Sequence, residues 1–244
     1  MTYILILCAT SDLGIAIAEE YLKEGYGLHL AARSKENLKI QHEKLKKTYP
    51  NSDIQTSFFE GELFEEHQQF YNNLNPKPEG VVTVMGYLGE QKVAELSFKE
   101  SEKIIHANYL NNVSILNIIA NDFEKRKYGF IVGVSSVSGE RGRKSNYIYG
   151  SAKAGFCTYL SGLRNRLYKS NVHVLTINPG FIYTKMTRHL NLPKILTVTP
   201  QKVAKDIIRG QKRNKNILYT PLRWKYILLI IKLIPEFIFK RLSL

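Results

Sequence analysis

The chain has 244 residues, of which 44% are apolar and 23% charged, so its length fits one large domain or two small ones. This composition excludes a disordered chain, a collagen-like chain and a polytopic membrane protein. Two cysteines exclude a disulfide scaffold and a cysteine-based zinc site, and the net charge of +14 predicts anionic partners such as nucleotide phosphates, anionic lipid or nucleic acid.

Short β-branched and apolar runs predict the strands. The candidate strands are residues 3–8, 27–32, 54–59, 80–85, 128–135, 172–177 and 217–219. Several are continuous apolar runs, as expected when helices cover both faces of a sheet. The first run has no basic segment before it and a glycine-containing turn after it, so it predicts a buried strand and not a signal peptide.

Longer segments with helical spacing separate these strands. The candidate helices are residues 15–24, 35–48, 63–74, 98–123, 149–168 and 200–211. Strand and helix alternate throughout, which predicts right-handed βαβ units. The expected fold is α/β, a single doubly wound parallel sheet of Rossmann type with about seven strands and helices on both faces.

The first strand runs into a loop where a dinucleotide-binding fold places the cofactor phosphates. Residues 8–14 read Cys-Ala-Thr-Ser-Asp-Leu-Gly and open a helix, whose N-terminal N–H groups would face a pyrophosphate. The candidate cofactor contacts are Thr10, Ser11, Asp12 and Leu13. An ordinary strand–turn–helix junction, capped by Asp or Ser, is the alternative interpretation.

The glycine pattern of such loops is incomplete in this chain. Cys8 and Asp12 occupy two of the glycine positions, and Gly14 remains. A carboxylate is unfavourable beside a phosphate dianion, so we expect the Asp12 side chain to turn away and cap the helix.

The end of the second strand predicts the cofactor. An NAD-selective site requires an acid here to bind the ribose 2′-hydroxyl, whereas an arginine suits a 2′-phosphate. Residues 31–33 read Ala-Ala-Arg, and Arg33 offers a planar bidentate phosphate contact. We therefore predict NADP(H) in preference to NAD(H). A solvent-exposed arginine at a helix start is the alternative.

Three polar residues form a candidate catalytic group. Ser136 ends the fifth strand, and Tyr149 and Lys153 share one face of the helix that follows. A free tyrosine has a pKa of about 10, and a nearby ammonium lowers that pKa by stabilising the phenolate. Tyr149 can then exchange a proton with a substrate oxygen while hydride moves to or from nicotinamide, and Ser136 polarises the carbonyl or alcohol.

With Asn178-Pro179-Gly180 after the sixth strand, these motifs resemble those of the short-chain dehydrogenase/reductase family over residues 1–221. The resemblance implies an NADP(H)-binding catalytic domain that acts on CH–OH or C=O groups. It implies that Ser136, Tyr149 and Lys153 form the catalytic triad, and that Asn108 is the fourth member, which holds a water for proton relay.

The same resemblance implies further cofactor contacts. Glu60 stands near the adenine, and Gly86 is the one residue kept from the family's Asn-Asn-Ala-Gly stretch after the fourth strand. The loop that holds the nicotinamide carboxamide supplies Pro179, Ile182 and Thr184.

One subgroup shares more features. Residues 9–14, residues 86–89 (Gly-Tyr-Leu-Gly) and a basic apolar tail resemble reductases of lipid-linked keto-sugars, such as the decaprenylphosphoryl-2-keto-ribose reductases. The first hypothesis is therefore an NADP(H)-dependent reductase of a ketone on an envelope sugar precursor. A soluble carbonyl or alcohol reductase of small metabolites and a non-catalytic nucleotide-binding scaffold are the alternatives.

Residues 222–244 form a basic tail, and residues 200–244 hold eleven basic and two acidic residues. The apolar run 226–231 is far shorter than the roughly 20 residues that span a bilayer. We expect two short amphipathic helices broken at Pro235, with Trp224 and Tyr226 as membrane-interface aromatics. The expected location is cytoplasmic, peripheral on an anionic membrane face. Packing on the chain's own domain, or on a partner subunit in a homo-oligomer, is the alternative.

The loop between Ser136 and Tyr149 carries Arg141, Arg143 and Lys144, which either recognise a substrate phosphate or form a solvated loop. No nucleic-acid module accompanies the positive charge, so we predict no nucleic-acid partner. We also predict no metal site, because the six histidines lack metal-ligand spacing; they are His29, His42, His67, His106, His173 and His189.

Overall fold

The computed structural model describes residues 1–188 and 190–242, and a parallel sheet forms its centre. The strands are β1 (Tyr3–Leu7), β2 (Gly27–Ala32), β3 (Ile54–Phe58), β4 (Gly80–Thr83), β5 (Gly129–Val134), β6 (Val172–Pro179), β7 (Phe181–Ile182), β8 (Thr197–Val198) and β9 (Ile217–Thr220). Seven of them form the main sheet in the order β3-β2-β1-β4-β5-β6-β9, with every neighbouring pair parallel. The strand order therefore reverses between β1 and β4, where open α/β sheets bind ligands.

Helices cover both faces of this sheet. They are α1 (Asp12–Lys23), α2 (Lys35–Thr48), α3 (His67–Asn72), α4 (Gln91–Leu96), α5 (Phe98–Ile105), α6 (Asn111–Arg126), α7 (Tyr147–Leu167), α8 (Pro200–Lys212), α9 (Arg223–Leu233) and α10 (Glu236–Phe239). One core packs α1, α2 and α8 against the sheet, and a second core packs α3, α6 and α7 against the other face. The predicted doubly wound fold is confirmed.

The main differences from the predicted elements lie at helix junctions. The expected helix 98–123 is two α-helices joined by a π-helical segment, His106–Leu110. The predicted helix 63–74 is a 3-10 turn, Phe64–Glu66, followed by α3. β6 extends to Pro179 because its last residues pair with β9, and hydrophobic periodicity alone does not mark such long-range pairing.

The tail forms the two expected helices, and α9 packs on the chain's own domain. The indole of Trp224 is 3% exposed, it stacks edge-on against Phe181, and its Nε1 donates to the Leu196 carbonyl at 3.2 Å. Trp224 is therefore an internal packing residue, and the expectation that it lies at a membrane interface is wrong. Among the described residues, no helix has the length and apolar character needed to cross a bilayer.

Candidate active site

The loop after β1 has the backbone of a phosphate-binding turn although two glycines are missing. Cys8 has a φ of 65°, in the left-handed region that favours glycine. The Ser11 hydroxyl donates to the Cys8 carbonyl at 2.8 Å and accepts the Gly14 amide at 3.1 Å, which makes Ser11 the N-cap of α1. A Cβ on Gly14 would lie 2.5 Å from the Cys8 carbonyl oxygen, so the remaining glycine is sterically required.

Asp12 does not cap α1, and that expectation is wrong because Ser11 already occupies the capping position. The Asp12 side chain instead crosses to the segment after β7, where its Oδ2 accepts the backbone amide of Lys185 at 2.6 Å. The carboxylate is engaged by a backbone amide, and this partner lies 173 residues further along the chain.

A cavity of about 660 Å³ opens at the carboxyl ends of the central strands. Its volume falls within the roughly 300–1,000 Å³ typical of small-molecule sites. Eleven of the predicted site residues line it, namely Thr10, Ser11, Asp12, Leu13, Gly86, Ser136, Tyr149, Lys153, Pro179, Ile182 and Thr184. The fold therefore brings together residues from the β1, β4, β5 and β6 ends and from α7.

Three predicted site residues lie outside this lining set. Arg33 is exposed just beyond the end of β2, and Glu60 is half-buried just beyond β3. Both charges act on Cys8: burial raises the pKa of its thiol, Arg33 opposes that rise and Glu60 adds to it. Asn108 is fully buried below the cavity.

Lys153 lies near Tyr149 inside the cavity wall. Its ammonium donates to the Val134 carbonyl at 3.1 Å and lies 5.9 Å from the centroid of the Tyr149 ring. Burial lowers the pKa of Lys153 to about 8. Burial raises the pKa of Tyr149 to about 12, and the neighbouring Ser136 hydroxyl opposes that rise. The predicted lowering of the Tyr149 pKa by the Lys153 ammonium is therefore wrong for this structure, because burial of the phenol outweighs it. The phenol is protonated at neutral pH, which suits a proton donor.

Ser136 is held by its own turn. It follows β5 and caps the 3-10 turn Val137–Gly139, and its Oγ accepts the Ser138 amide at 3.1 Å. This hydrogen bond fixes the serine side chain and leaves its hydroxyl proton free to be donated.

Asn108 lies in the π-helical segment, a feature that often marks functional sites. Its Nδ2 donates to the carbonyls of Tyr87 at 2.6 Å and Ile104 at 2.8 Å, and its Oδ1 accepts the Tyr87 amide at 3.3 Å. The side chain thus fixes the backbone after β4. A Cβ on Gly86 would lie 2.8 Å from Asn108 Oδ1 and 3.3 Å from Lys153 Nζ, so a larger residue there would displace the Asn108 side chain.

Sequence reasoning missed several polar residues of the cavity, among them Asn146 and Gln91. Asn146 donates through Nδ2 to the Ser138 hydroxyl at 3.1 Å, and its buried Oδ1 has no hydrogen-bond partner among the described residues. Gln91 accepts the Ile148 amide at the start of α7 at 3.2 Å. Neither residue stands in a recognisable motif; the short helix α4, which begins at Gln91, was also not predicted.

The basic loop after Ser136 does not present Arg141 to a substrate. The Arg141 guanidinium donates to the carbonyls of Ile231 and Ile234 at the end of α9, and it pairs with Glu236 at 3.0 Å. It also lies 3.7 Å from the centroid of the Phe239 ring. Arg141 therefore fastens the tail to the active-site loop. Both predictions for Arg141, recognition of a substrate phosphate and a place in a solvated loop, are wrong.

Arg143 and Lys144 differ from Arg141. Arg143 donates to the Ser138 hydroxyl at 3.3 Å, and burial lowers the pKa of its guanidinium. Lys144 is exposed.

Within the described part of the chain, the structure brings together no group of three or more His, Cys, Asp or Glu residues that could hold a metal ion.

Comparison with known proteins agrees with this arrangement. The family model for short chain dehydrogenases matches residues 2–194. An uncharacterized oxidoreductase of Mycobacterium tuberculosis is 31% identical over 98% of this chain and 96% of its own length. An uncharacterized oxidoreductase of Streptomyces coelicolor is 28% identical over 98% of this chain and 95% of its own length.

Solved structures share the fold at low sequence identity. A short-chain dehydrogenase from Sphingobium yanoikuyae in complex with NADPH superposes with a TM-score of 0.82 at 19% identity, covering 97% of both chains. A short chain dehydrogenase from Burkholderia cenocepacia in complex with NADP gives a TM-score of 0.85 at 16% identity, covering 100% of this chain and 98% of the other. The chain belongs to the short chain dehydrogenase family and is an NAD(P)-dependent oxidoreductase acting on CH–OH/C=O groups.

Proposed function

We propose that this enzyme transfers hydride between NADP(H) and a ketone or secondary alcohol. The observation that carries the proposal is the convergence of Ser136, Tyr149 and Lys153 on one cavity that also holds the phosphate-type loop after β1. Their chemistry is complementary, because a hydroxyl, a phenol and an ammonium supply a hydrogen-bond donor, a proton and a positive charge.

The residues of the cavity fit a nicotinamide dinucleotide. Glycine is sterically required at Gly14, where a Cβ would meet the Cys8 carbonyl oxygen, and a Cβ at Gly86 would press on the Asn108 side chain. The α1 N-terminus offers free N–H groups to a pyrophosphate beside the hydroxyls of Thr10 and Ser11. When bound, the nicotinamide supplies or accepts the hydride. Pro179, Ile182 and Thr184 are the proposed contacts of its carboxamide, and Glu60 of the adenine.

The proposed roles follow from the geometry. Tyr149 donates its proton to the carbonyl oxygen during reduction and recovers it during oxidation. The ammonium of Lys153 stabilises the phenolate that remains. The Ser136 hydroxyl donates a hydrogen bond to the same oxygen and orients it, without giving up its proton. The Asn108 side chain holds the backbone of Tyr87, which lines up the wall after β4, and its part in a water relay stays a prediction.

Arg33 supports a preference for NADP(H). The arginine is exposed at the end of β2, beside two alanines and without an acid that would bind a ribose 2′-hydroxyl. A charge-assisted contact is worth roughly 1.5–3 kcal/mol, which corresponds to a preference of about tenfold or more. Fluorescence titration with NADPH and NADH measures it, and equal dissociation constants would contradict it.

The narrower proposal is that the substrate carries a lipid. Met186, Leu190 and Leu88 line the cavity, and the tail carries an exposed apolar face of its own. We name the outer tail face as Leu222, Tyr226, Leu229, Ile230, Leu233 and Phe237, which are 58–73% exposed. The likeness to lipid-linked keto-sugar reductases rests on sequence motifs, and neither relative described above carries that name.

The outer tail face is the proposed contact with an anionic membrane on the cytoplasmic side. Arg223, Lys225, Lys240 and Arg241 flank it and are exposed, whereas Lys232 already pairs with Glu140. Each basic residue near an anionic surface contributes about 1 kcal/mol. The alternative occupant is a second copy of the chain, which an apolar face of this kind also accommodates.

Liposome co-sedimentation distinguishes the two occupants. The intact enzyme should bind anionic vesicles at low salt, and Ile230→Glu should weaken that binding several-fold. Ile40→Glu is the matched control, since Ile40 is also exposed but lies on α2. If the enzyme ignores anionic vesicles and Ile230→Glu instead dissociates a dimer, the face is an oligomer contact.

The catalytic proposal is tested with a panel of ketones and secondary alcohols. We expect NADPH to be consumed with at least one ketone, and the reverse reaction to reduce NADP+ with the matching alcohol. Tight NADPH binding without turnover across sugar, aliphatic and lipid-linked ketones would favour a nucleotide-binding scaffold.

A further inference from the structure

The bond between Asp12 and Lys185 joins two parts of the cavity wall that come from opposite ends of the chain. Asp12 is the first residue of α1, and Lys185 belongs to the turn that follows β7. The carboxylate oxygen and the backbone amide nitrogen are 2.6 Å apart. A charged acceptor makes this hydrogen bond about twice as strong as a neutral one.

The turn itself is internally ordered. The carbonyl of Thr184 accepts the amides of Thr187 at 3.0 Å and Arg188 at 2.9 Å. The Thr187 hydroxyl accepts the Thr184 amide at 3.1 Å and donates to the Ile182 carbonyl. These bonds fix the shape of the turn but tie it only to its own strand, β7. Asp12 supplies a hydrogen bond from the turn to α1.

The segment held in this way borders the cavity directly. Thr184, Lys185, Met186 and Thr187 all line it, together with Asp12. A glycine, which the resembling family carries at this position, has no side chain with which to reach Lys185. The aspartate therefore adds a cross-link over the cavity that the glycine cannot make.

We propose that Asp12 is a positioning residue: it holds residues 184–188 against α1, and the strength of this tether sets the rate at which the cofactor leaves. The part concerning the cofactor rests on the proposed function, whereas the tether itself does not. Asp12 acts through Lys185 on Thr184, so its effect on chemistry is indirect.

Hydrogen–deuterium exchange on the cofactor-free enzyme tests the tether. The bond is exposed to solvent, which weakens it, so its loss corresponds to about a twofold to tenfold rise in exchange. We expect Asp12→Ala to produce such a rise in the peptide covering residues 184–188. Asp12→Asn retains an acceptor and should give a smaller rise. Glu20→Ala is the control, because Glu20 lies on the same helix and pairs with Lys23.

Stopped-flow release of NADPH tests the consequence. We expect Asp12→Ala to release NADPH faster than wild type by a similar factor, and Asp12→Asn to fall between them. Unchanged exchange at residues 184–188 in Asp12→Ala would overturn the tether. Faster exchange with unchanged release would overturn its link to the cofactor.

The two proposals fail in different ways. If wild type does not bind NADPH at all, the proposed function is wrong, and the exchange of residues 184–188 still decides whether Asp12 holds the turn. If both Asp12 variants slow release equally with no change in exchange, the carboxylate acts only by repelling the cofactor phosphates, and the positioning role is wrong. Unchanged near-UV circular dichroism shows that each variant is folded.

Discussion

Gly180 is the point where the tail meets the active-site strands, and it offers a clean steric perturbation. A Cβ built on Gly180 would fall inside the indole ring of Trp224, closest to Nε1. The backbone of Gly180 lies outside the left-handed region, so alanine adds no backbone strain there. Gly180→Ala is therefore expected to expel Trp224 from its pocket without altering a charged or catalytic group.

The free energy of unfolding that Gly180→Ala can lose is limited to the stability that the docked Trp224 side chain contributes. Its ring is 3% exposed, it packs with Val137 and Leu228, and its Nε1 donates to Leu196. Removing a buried aromatic side chain destabilises a protein by about 3–5 kcal/mol, and Gly180→Ala cannot exceed that loss if the indole simply leaves. For a chain of this size each kcal/mol lowers Tm by about 2–4 °C, so we expect a fall of roughly 6–20 °C.

The assay uses the single tryptophan of the chain. Because Trp224 is the only indole, its fluorescence emission reports directly on the docking of α9. We expect Gly180→Ala to shift the emission to the red and to lower Tm. Gly162→Ala is the matched control, since Gly162 lies in α7 and a Cβ there meets nothing within 4 Å of it among the described residues.

Two results would refute this reasoning. The first is an unshifted emission with a Tm equal to that of Gly162→Ala. The second is full additivity of Gly180→Ala with Trp224→Ala in chemical denaturation, because two substitutions that remove one contact should be strongly non-additive.

Further predictions concern the catalytic group and the cofactor. Tyr149→Phe should lower turnover by about 10²–10⁴ while NADPH binding changes little in titration, and retention of more than about a tenth of the rate would contradict the role of the phenol as proton donor. Because burial lowers the pKa of Lys153 from 10.5 to about 8, the unfolded state binds more protons between these pH values and stability rises with pH there. Lys153→Met removes this titration. Its free energy of unfolding in urea should therefore exceed that of wild type most at neutral pH, and the difference between the two free energies should narrow above about pH 8. A difference that does not change with pH would contradict the burial of the ammonium. Arg33→Ala should bring the dissociation constants of NADPH and NADH close together by weakening NADPH alone, and equal weakening of both would exclude a 2′-phosphate contact.

The fold followed from local patterns. Each of the seven main strands begins within one residue of its predicted start. For the central strands the reason is that a strand buried on both faces must be continuously apolar. Tyr149 and Lys153 were predicted because four-residue spacing places two side chains on one helix face. Such features depend on residues close together in the chain.

The features that sequence reasoning missed depend on residues far apart in the chain. Asp12 reaches Lys185, and Arg141 reaches the end of α9, because the fold brings these segments together. The sequence predicts helix capping for Asp12 and either phosphate recognition or a solvated loop for Arg141, since no local pattern indicates the true partner. Trp224 was assigned to an interface by its residue type, although the Gly180 backbone leaves room for its ring.

Direct transfer of labelled hydride tests the central claim. The enzyme is incubated with a ketone substrate and NADPH carrying deuterium at the transferable position, and the alcohol product is analysed by mass spectrometry and NMR. The account predicts one deuterium on the former carbonyl carbon with wild type, and at least a hundredfold less labelled product in equal time with Tyr149→Phe. A product without deuterium at that carbon, or equal labelling rates in the two enzymes, would contradict it.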